Sequence, residues 1–132
     1  MIGGIVITHG EFAAGLKQAV EMITGKQEQF YAIGLHEGEG LMELAEQIQQ
    51  QCAAMKCDQI ILFTDLFGAS PCNASGIPCA QFDYPIITGV NMPVLLDFVL
   101  KRETTALDAL LETLTASYQA GYKILRQVDY LD

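Results

Sequence analysis

The amino-acid sequence predicts an α/β domain, a mostly parallel sheet with helices on both faces. Three observations predict it. Apolar, β-branched runs alternate along the chain with segments of helical period, as in a sheet built through crossover helices. The first and third runs are apolar throughout rather than at alternate positions, which suits strands covered on both faces. The chain has 132 residues, 51% hydrophobic and 17% charged, a globular composition of the size of one domain. A chain of this length buries roughly two-thirds of its unfolded surface and needs no disulfide or metal to fold. There is no linker, repeat or low-complexity tract, so residues 1–132 are expected to form a single domain.

The elements follow in order. Ile2 to Thr8 is the first strand. Glu11 to Thr24 is a helix with Phe12, Leu16, Ala19, Val20 and Ile23 on one stripe and Gly25 as its stop. Phe30 to Leu35 is a second strand, and the loop from His36 to Gly40 leads to a helix carrying Leu41, Leu44, Ala45, Ile48, Cys52 and Met55. Gln59 to Thr64 is the third strand, followed by a loop from Asp65 to Ser70. Ser70 reads as an N-cap and Pro71 as a first helical residue. Tyr84 to Thr88 is the fourth strand; Asn91 caps a helix through Leu100. Thr104 caps the last helix, whose stripe is Leu107, Leu110, Leu111, Leu114 and Tyr118, with Gly121 at its end. Lys123 to Tyr130 has mixed polarity and reads as an edge strand.

Right-handed crossovers and this length favour a flavodoxin-like strand order, 2-1-3-4 plus the terminal edge strand. In that order the first and third strands are neighbours at the point where the order reverses. Sites in such sheets lie at the carboxyl ends of strands beside that point. Two loops are singled out: Thr8-His9-Gly10 and Asp65 to Ser70.

Charge and targeting narrow the function. Seven Lys+Arg against sixteen Asp+Glu give −9, which argues against binding nucleic acid or anionic membranes through phosphates. No run of about eighteen apolar residues exists and the N-terminus lacks the pattern of a signal peptide, so a cytoplasmic protein is expected. Cys52, Cys57, Cys72 and Cys79 include no C-x-x-C pair and read as free thiols. The nucleotide-binding glycine fingerprints are absent, and no cofactor is expected.

His9 directly follows a buried strand. A neutral imidazole nitrogen is a nucleophile near neutral pH, and Gly10 leaves room for an incoming group. Asp65, at the end of the neighbouring strand, is placed to accept one ring N–H, fixing the tautomer and leaving the other nitrogen's lone pair free. Ser70, Pro71 and Cys72 open a helix whose first N–H groups lack intrahelical partners, a place for an anion. His36 lies in an acidic loop; a metal set of His9, His36, Glu37 and Glu39 has no diagnostic spacing, and a hydrated loop is favoured. No metal is expected.

Three segments carry a resemblance. Gly4-Ile5-Val6-Ile7-Thr8-His9-Gly10 with Ala13-Ala14-Gly15-Leu16, Asp65-Leu66-Phe67-Gly68-Ala69-Ser70-Pro71-Cys72-Asn73-Ala74-Ser75, and Gly89-Val90-Asn91-Met92-Pro93-Val94-Leu95-Leu96 resemble, in order and spacing, the enzyme IIA domain of mannose-type sugar phosphotransferase systems. The resemblance implies a phosphocarrier. His9 would accept a phosphoryl group from the phosphohistidine of HPr and pass it to the histidine of a separate enzyme IIB subunit, serving membrane subunits IIC and IID. Asp65 would orient His9, and Thr8, Gly10, Ser70, Pro71 and Cys72 would surround the phosphoryl group. The resemblance also implies a homodimer with an antiparallel C-terminal strand, here Lys123 to Tyr130, exchanged between subunits. The chain departs from the family pattern at Ala69, where a second glycine is common, and at Cys72, where an aromatic is common. Gly76-Ile77-Pro78-Cys79 interrupts a usual helical stretch, and Pro78 is expected to shorten or kink that helix.

Other readings compete. The phosphocarrier subunit of a dihydroxyacetone kinase, or a regulatory phosphorelay protein of the same fold, would share the histidine. A receiver domain phosphorylated on Asp65 would need an acidic cluster after the first strand to hold Mg²⁺, where Thr8-His9-Gly10 stands. A flavin-binding module would need a hydroxyl-rich loop there.

Overall fold

A computed structural model describes residues 1–127. Its element order is β1 (Gly3–His9), α1 (Phe12–Thr24), β2 (Phe30–Leu35), α2 (Leu41–Ala54), β3 (Ile60–Thr64), α3 (Ser70–Phe82), β4 (Ile86–Ile87), α4 (Met92–Lys101) and α5 (Leu107–Gly121). The four strands are parallel in the order β2-β1-β3-β4, the order the sequence predicts. Register places Ile7 beside Thr64 and His9 beside Leu35, so β1, β2 and β3 end together at one edge.

The two-residue period of the strands sorts their side chains into two cores. Val6, Ile61 and Phe63 face α1, α4 and α5 through Ala13, Leu16, Val20, Val94, Leu95, Phe98, Leu110 and Leu114. Ile5, Ile7, Ile60 and Leu62 face the other way, onto Leu44, Ala45, Ile48, Cys52 and Ala74 of α2 and α3. Phe98 anchors the first core, edge-on to Phe63 with ring centroids 5.0 Å apart. Arg102 closes the end of the sheet away from His9. It is buried, donates to the carbonyl oxygens of Ile2, Glu28 and Gln29 and to Gln27 Oε1, and lies over the Phe98 ring. Its charge is thus met by backbone dipoles at the starts of β1 and β2.

Several boundaries differ from the sequence reading. β1 extends through His9, because its pairing with β2 continues to Leu35. β4 contracts to two paired residues, Ile86 and Ile87, on β3. On α1 the buried stripe is Ala13, Leu16 and Val20, while Phe12 and Ile23 are exposed. The N-cap of α3 is Ala69, not Ser70, and no side chain caps it. α3 also runs through Pro78 to Phe82 instead of stopping there. Burial of Pro71, Ala74, Ser75 and Pro78 along one face outweighs the single backbone bond that proline removes. The N-cap of α5 is Ala106, not Thr104; the Thr104 hydroxyl turns back to the Lys101 carbonyl. Asn91 does cap α4, accepting from the Val94 N–H at 3.1 Å. Residues 122–127 carry no strand, and Val128, Asp129 and Tyr130 of the expected edge strand lie outside the described residues. Among the described residues, no helix is long and apolar enough to cross a membrane.

Candidate functional site

The strand ends bring His9 and Asp65 together. His9 is the last residue of β1 and Asp65 the first after β3. Asp65 Oδ2 lies 2.8 Å from His9 Nδ1 and also accepts the His9 backbone N–H at 3.1 Å. One carboxylate oxygen therefore fixes both the ring and the main chain of the same residue. Burial resists ionisation of Asp65 and is the largest single influence on it, but the ring and backbone donors of His9 together hold its carboxyl below the usual range. An ionised carboxylate only accepts, so Nδ1 carries the hydrogen and the Nε2 lone pair is left over. The His9 side chain is 51% exposed against 14% for Asp65, which places a buried orienting group behind an open ring.

Thr8 takes a different place from the one expected of it. It is fully buried; its hydroxyl oxygen accepts the Ala13 N–H at 2.7 Å and its hydroxyl donates to the His9 carbonyl at 3.2 Å. By strand alternation it points to the face opposite His9. Thr8 thus fastens the start of α1 to the end of β1, with its hydroxyl engaged on both sides.

Gly10 adopts a φ of +54° and has open space where a side chain would stand. Its N–H donates to the Leu35 carbonyl at 2.7 Å, so the turn after His9 rests on the end of β2. Gly34 makes this approach possible. A Cβ at Gly34 would sit 2.1 Å from the Gly10 carbonyl oxygen. The sequence reading missed Gly34; its only signal is a lone glycine inside an apolar strand, a mark of close backbone approach. Gly34→Ala is expected to push the Gly10 peptide off β2, with little loss of secondary structure. The check is the Gly10 amide shift together with the reactivity of His9, which should fall about 10-fold or more, since small misplacements of a reacting group are costly.

The start of α3 also borders this edge. Ser70 and Cys72 are half-buried, and both precede the first helical bond, Asn73 N–H to Ala69 O at 2.9 Å. With no side-chain cap, their N–H groups remain open to an anion. Pro71 is buried and has no N–H to offer; its fixed φ suits the first turn of α3. Asn73 Nδ2 donates to the Gly68 carbonyl at 3.0 Å and holds the loop between Asp65 and α3. Asp65 Oδ1 is buried without a hydrogen-bond partner. Leu66 and Phe67 stand out from the same loop, Phe67 82% exposed.

His36, in the acidic loop where the sequence favours a hydrated residue, has both ring nitrogens on carboxylates. Its Nδ1 lies 2.8 Å from Glu39 Oε1 and its Nε2 2.9 Å from Glu11 Oε1. Glu11, and with it Glu39, raises the His36 pKa. Both ring nitrogens are engaged, the opposite of His9. Among the described residues, no group of three His, Cys, Asp or Glu side chains is arranged to hold a metal.

Comparison with known proteins places the chain. Residues 3–115 match the family described as PTS system fructose IIA component. The chain is 33% identical to the PTS system fructose-specific EIIA component of Bacillus subtilis, over 94% of this chain and 86% of that protein. It is 32% identical to the PTS system mannose-specific EIIAB component of Escherichia coli K12, covering 92% of this chain but 39% of that longer protein. The crystal structure of phosphotransferase system component EIIA from Streptococcus agalactiae superimposes with a TM-score of 0.85 at 28% identity, over 94% of this chain and 97% of the other.

Proposed function

The chain belongs to the phosphotransferase-system (PTS) fructose IIA component family, and from that premise we propose that His9 is its phosphoryl acceptor and Asp65 the group that orients it. The protein is a PTS EIIA component and, as such, a phosphotransferase with partners in that system. In the proposed cycle His9 Nε2 attacks the phosphorus of phosphohistidine on HPr. A new N–P bond forms as the donor's N–P bond breaks, and the donor imidazole leaves with its lone pair restored. No proton need be lost, because the hydrogen on His9 Nδ1 stays with Asp65. The reverse geometry passes the phosphoryl group on to the histidine of an enzyme IIB component. Such transfer asks the protein for alignment and charge stabilisation. The open N–H groups of Ser70 and Cys72 are suited to the phosphoryl oxygens.

The observation that carries this reading is the asymmetry of the His9 ring, with Nδ1 held on Asp65 at 2.8 Å while the side chain stays half exposed. An open ring beside exposed Leu66 and Phe67 suits a protein donor better than an enclosed small molecule. The test is incubation with phosphoenolpyruvate, enzyme I and HPr, which should add one phosphoryl group, mapped to His9 and labile in acid. Base- and hydroxylamine-labile label on Asp65 would instead favour a receiver-like reaction.

The reading includes a homodimer in which residues 123–130 of one protomer pair onto the sheet of the other. Its support is the β4 edge. Ile87, Val94, Leu111, Leu114 and Tyr118 line a groove of about 310 Å³ there, while Tyr122, Ile124 and Leu125 are exposed in the single chain. An edge and an apolar groove left open in this way call for a covering segment. Sedimentation at micromolar concentration should give a dimer, and deletion from Lys123 onward a monomer or aggregate. A full-length chain that sediments as a monomer would overturn the dimer.

A further inference from the structure

His36 lies outside the motifs that mark the transfer site, yet the structure ties it to the turn that carries His9. Glu11 is the N-cap of α1, two residues after His9. Glu39 ends the turn before α2; it accepts the His36 backbone N–H at 3.0 Å and the Gln47 side-chain amide at 3.1 Å. The His36 ring spans the two carboxylates, at 2.8 Å from Glu39 and 2.9 Å from Glu11. Both oxygens are acceptors, so both ring nitrogens must donate, and only the imidazolium has two N–H groups. A neutral ring can hold one carboxylate and must release the other. Glu39 has further bonds to the His36 backbone and Gln47, whereas the Glu11 side chain is 81% exposed, so Glu11 is the one released.

Glu11 sits where its charge matters. It follows Gly10, whose N–H rests on Leu35, the residue before His36. The charged groups around His36 are Glu11 at the start of α1, Glu37 and Glu39 on its own loop, Glu43 in the first turn of α2, and the His9–Asp65 pair across the Gly10 turn. All but the imidazoles are acidic. Imidazolium at His36 sets a positive charge against Glu11, two residues after His9, in a loop cluster otherwise rich in carboxylates that would oppose an incoming phosphoryl dianion.

We propose that His36, spanning Glu11 and Glu39, is a positioning residue for His9: its imidazolium fastens the start of α1 to the end of β2 and offsets Glu11, so that phosphoryl transfer weakens as His36 loses its proton. This rests on His9 being the acceptor. The sign follows from the contact: protonated His36 holds Glu11 at low pH, and the hold is lost as pH rises through the His36 titration.

The experiment uses the full chain with phosphoramidate as a chemical phosphoryl donor, which removes partner proteins from the rate. Rates on His9 are followed from about pH 6 to pH 9 for the natural chain, His36→Lys and Glu11→Gln, and His36 is titrated by NMR. His36→Lys keeps a cation facing Glu11 throughout, so dividing by its rate cancels the pH dependence that the two chains share. The ratio of natural chain to His36→Lys should fall about two- to five-fold across the His36 titration, the span an exposed ion pair supplies. Glu11→Gln should lose that step. The Gly10 and Glu11 amides should shift with the His36 titration in the natural chain, and the Gly10 shift should vanish in Glu11→Gln. A flat ratio, a step that survives in Glu11→Gln, or a Gly10 amide indifferent to His36 would overturn the proposal. Absence of label on His9 in every chain at every pH would instead overturn the acceptor assignment, and the amide titration would still decide the contact.

Discussion

A His9→Ala chain incubated with phosphoenolpyruvate, enzyme I and HPr is expected to gain no phosphoryl group, while His36→Ala is still labelled on His9. The structure separates the two histidines by their free nitrogens. His9 has one nitrogen on Asp65 and one left over; His36 has both engaged by carboxylates. An imidazole with two carboxylate partners is held as the cation and offers no lone pair. The chain therefore has one histidine able to attack phosphorus in its observed arrangement. Removal of the accepting nitrogen leaves nothing to form the N–P bond, so the effect is complete loss. Mass measurement of the intact chain reads this directly. Acid treatment should release the phosphate, since a protonated ring leaves phosphorus as neutral imidazole. Label persisting in His9→Ala, or mapping to Asp65, would show that His9 is not the acceptor.

The parts of this arrangement differ in how far the sequence discloses them. Parallel strands were legible because apolar runs such as Ile60-Ile61-Leu62-Phe63 suit strands covered on both faces, the order follows from right-handed crossovers and chain length, and the pairing of His9 with Asp65 follows once β1 and β3 are neighbours. The resemblance places Thr8 and Pro71 around the phosphoryl group but says nothing of where their side chains turn. Strand alternation turns Thr8 inward to cap Ala13, and packing buries Pro71; neither direction is written in a motif. Gly34 and the Glu11–His36 contact join residues 24 and 25 apart through the β1–β2 register, which local patterns do not encode. Pro78 shows the opposite failure. Proline removes a backbone bond and favours a shorter or kinked helix, but the buried face of α3 carries the helix on to Phe82. Residues 122–127 have the mixed polarity of an edge strand but carry no strand, because composition alone does not say which edge such a segment would pair with.

Asp65→Asn is expected to leave the fold intact and slow transfer to His9 by about 10-fold or more, up to the roughly 10⁴-fold that the same change costs behind a reacting histidine in a catalytic triad. The substitution keeps the shape, but one atom, Oδ2, accepts both the backbone N–H and the ring hydrogen of His9, so an amide that turns its NH₂ to the ring also gives up the backbone bond. What changes is the hydrogen on the ring. An amide can turn its NH₂ toward Nδ1, which favours the tautomer with hydrogen on Nε2, and the outward nitrogen then has no lone pair to give. The same substitution has a signature in acid. Asp65 is held below the usual carboxylate range in the folded chain, so its ionised form stabilises the fold above the pKa of an ordinary aspartate, and that contribution is lost as pH falls through the lowered value. In Asp65→Asn this part of the acid dependence should be missing, so natural and variant stabilities should converge as the carboxyl is titrated. Single-turnover labelling and urea unfolding over the acid range measure the two effects separately. Equal transfer rates in a folded Asp65→Asn chain would remove Asp65 from the mechanism. A slowed chain whose NMR spectra still show hydrogen on Nδ1 would keep Asp65 in place but replace the tautomer argument with lost charge, because the imidazolium-like charge that develops on His9 as its N–P bond forms would then lack its buried counter-ion.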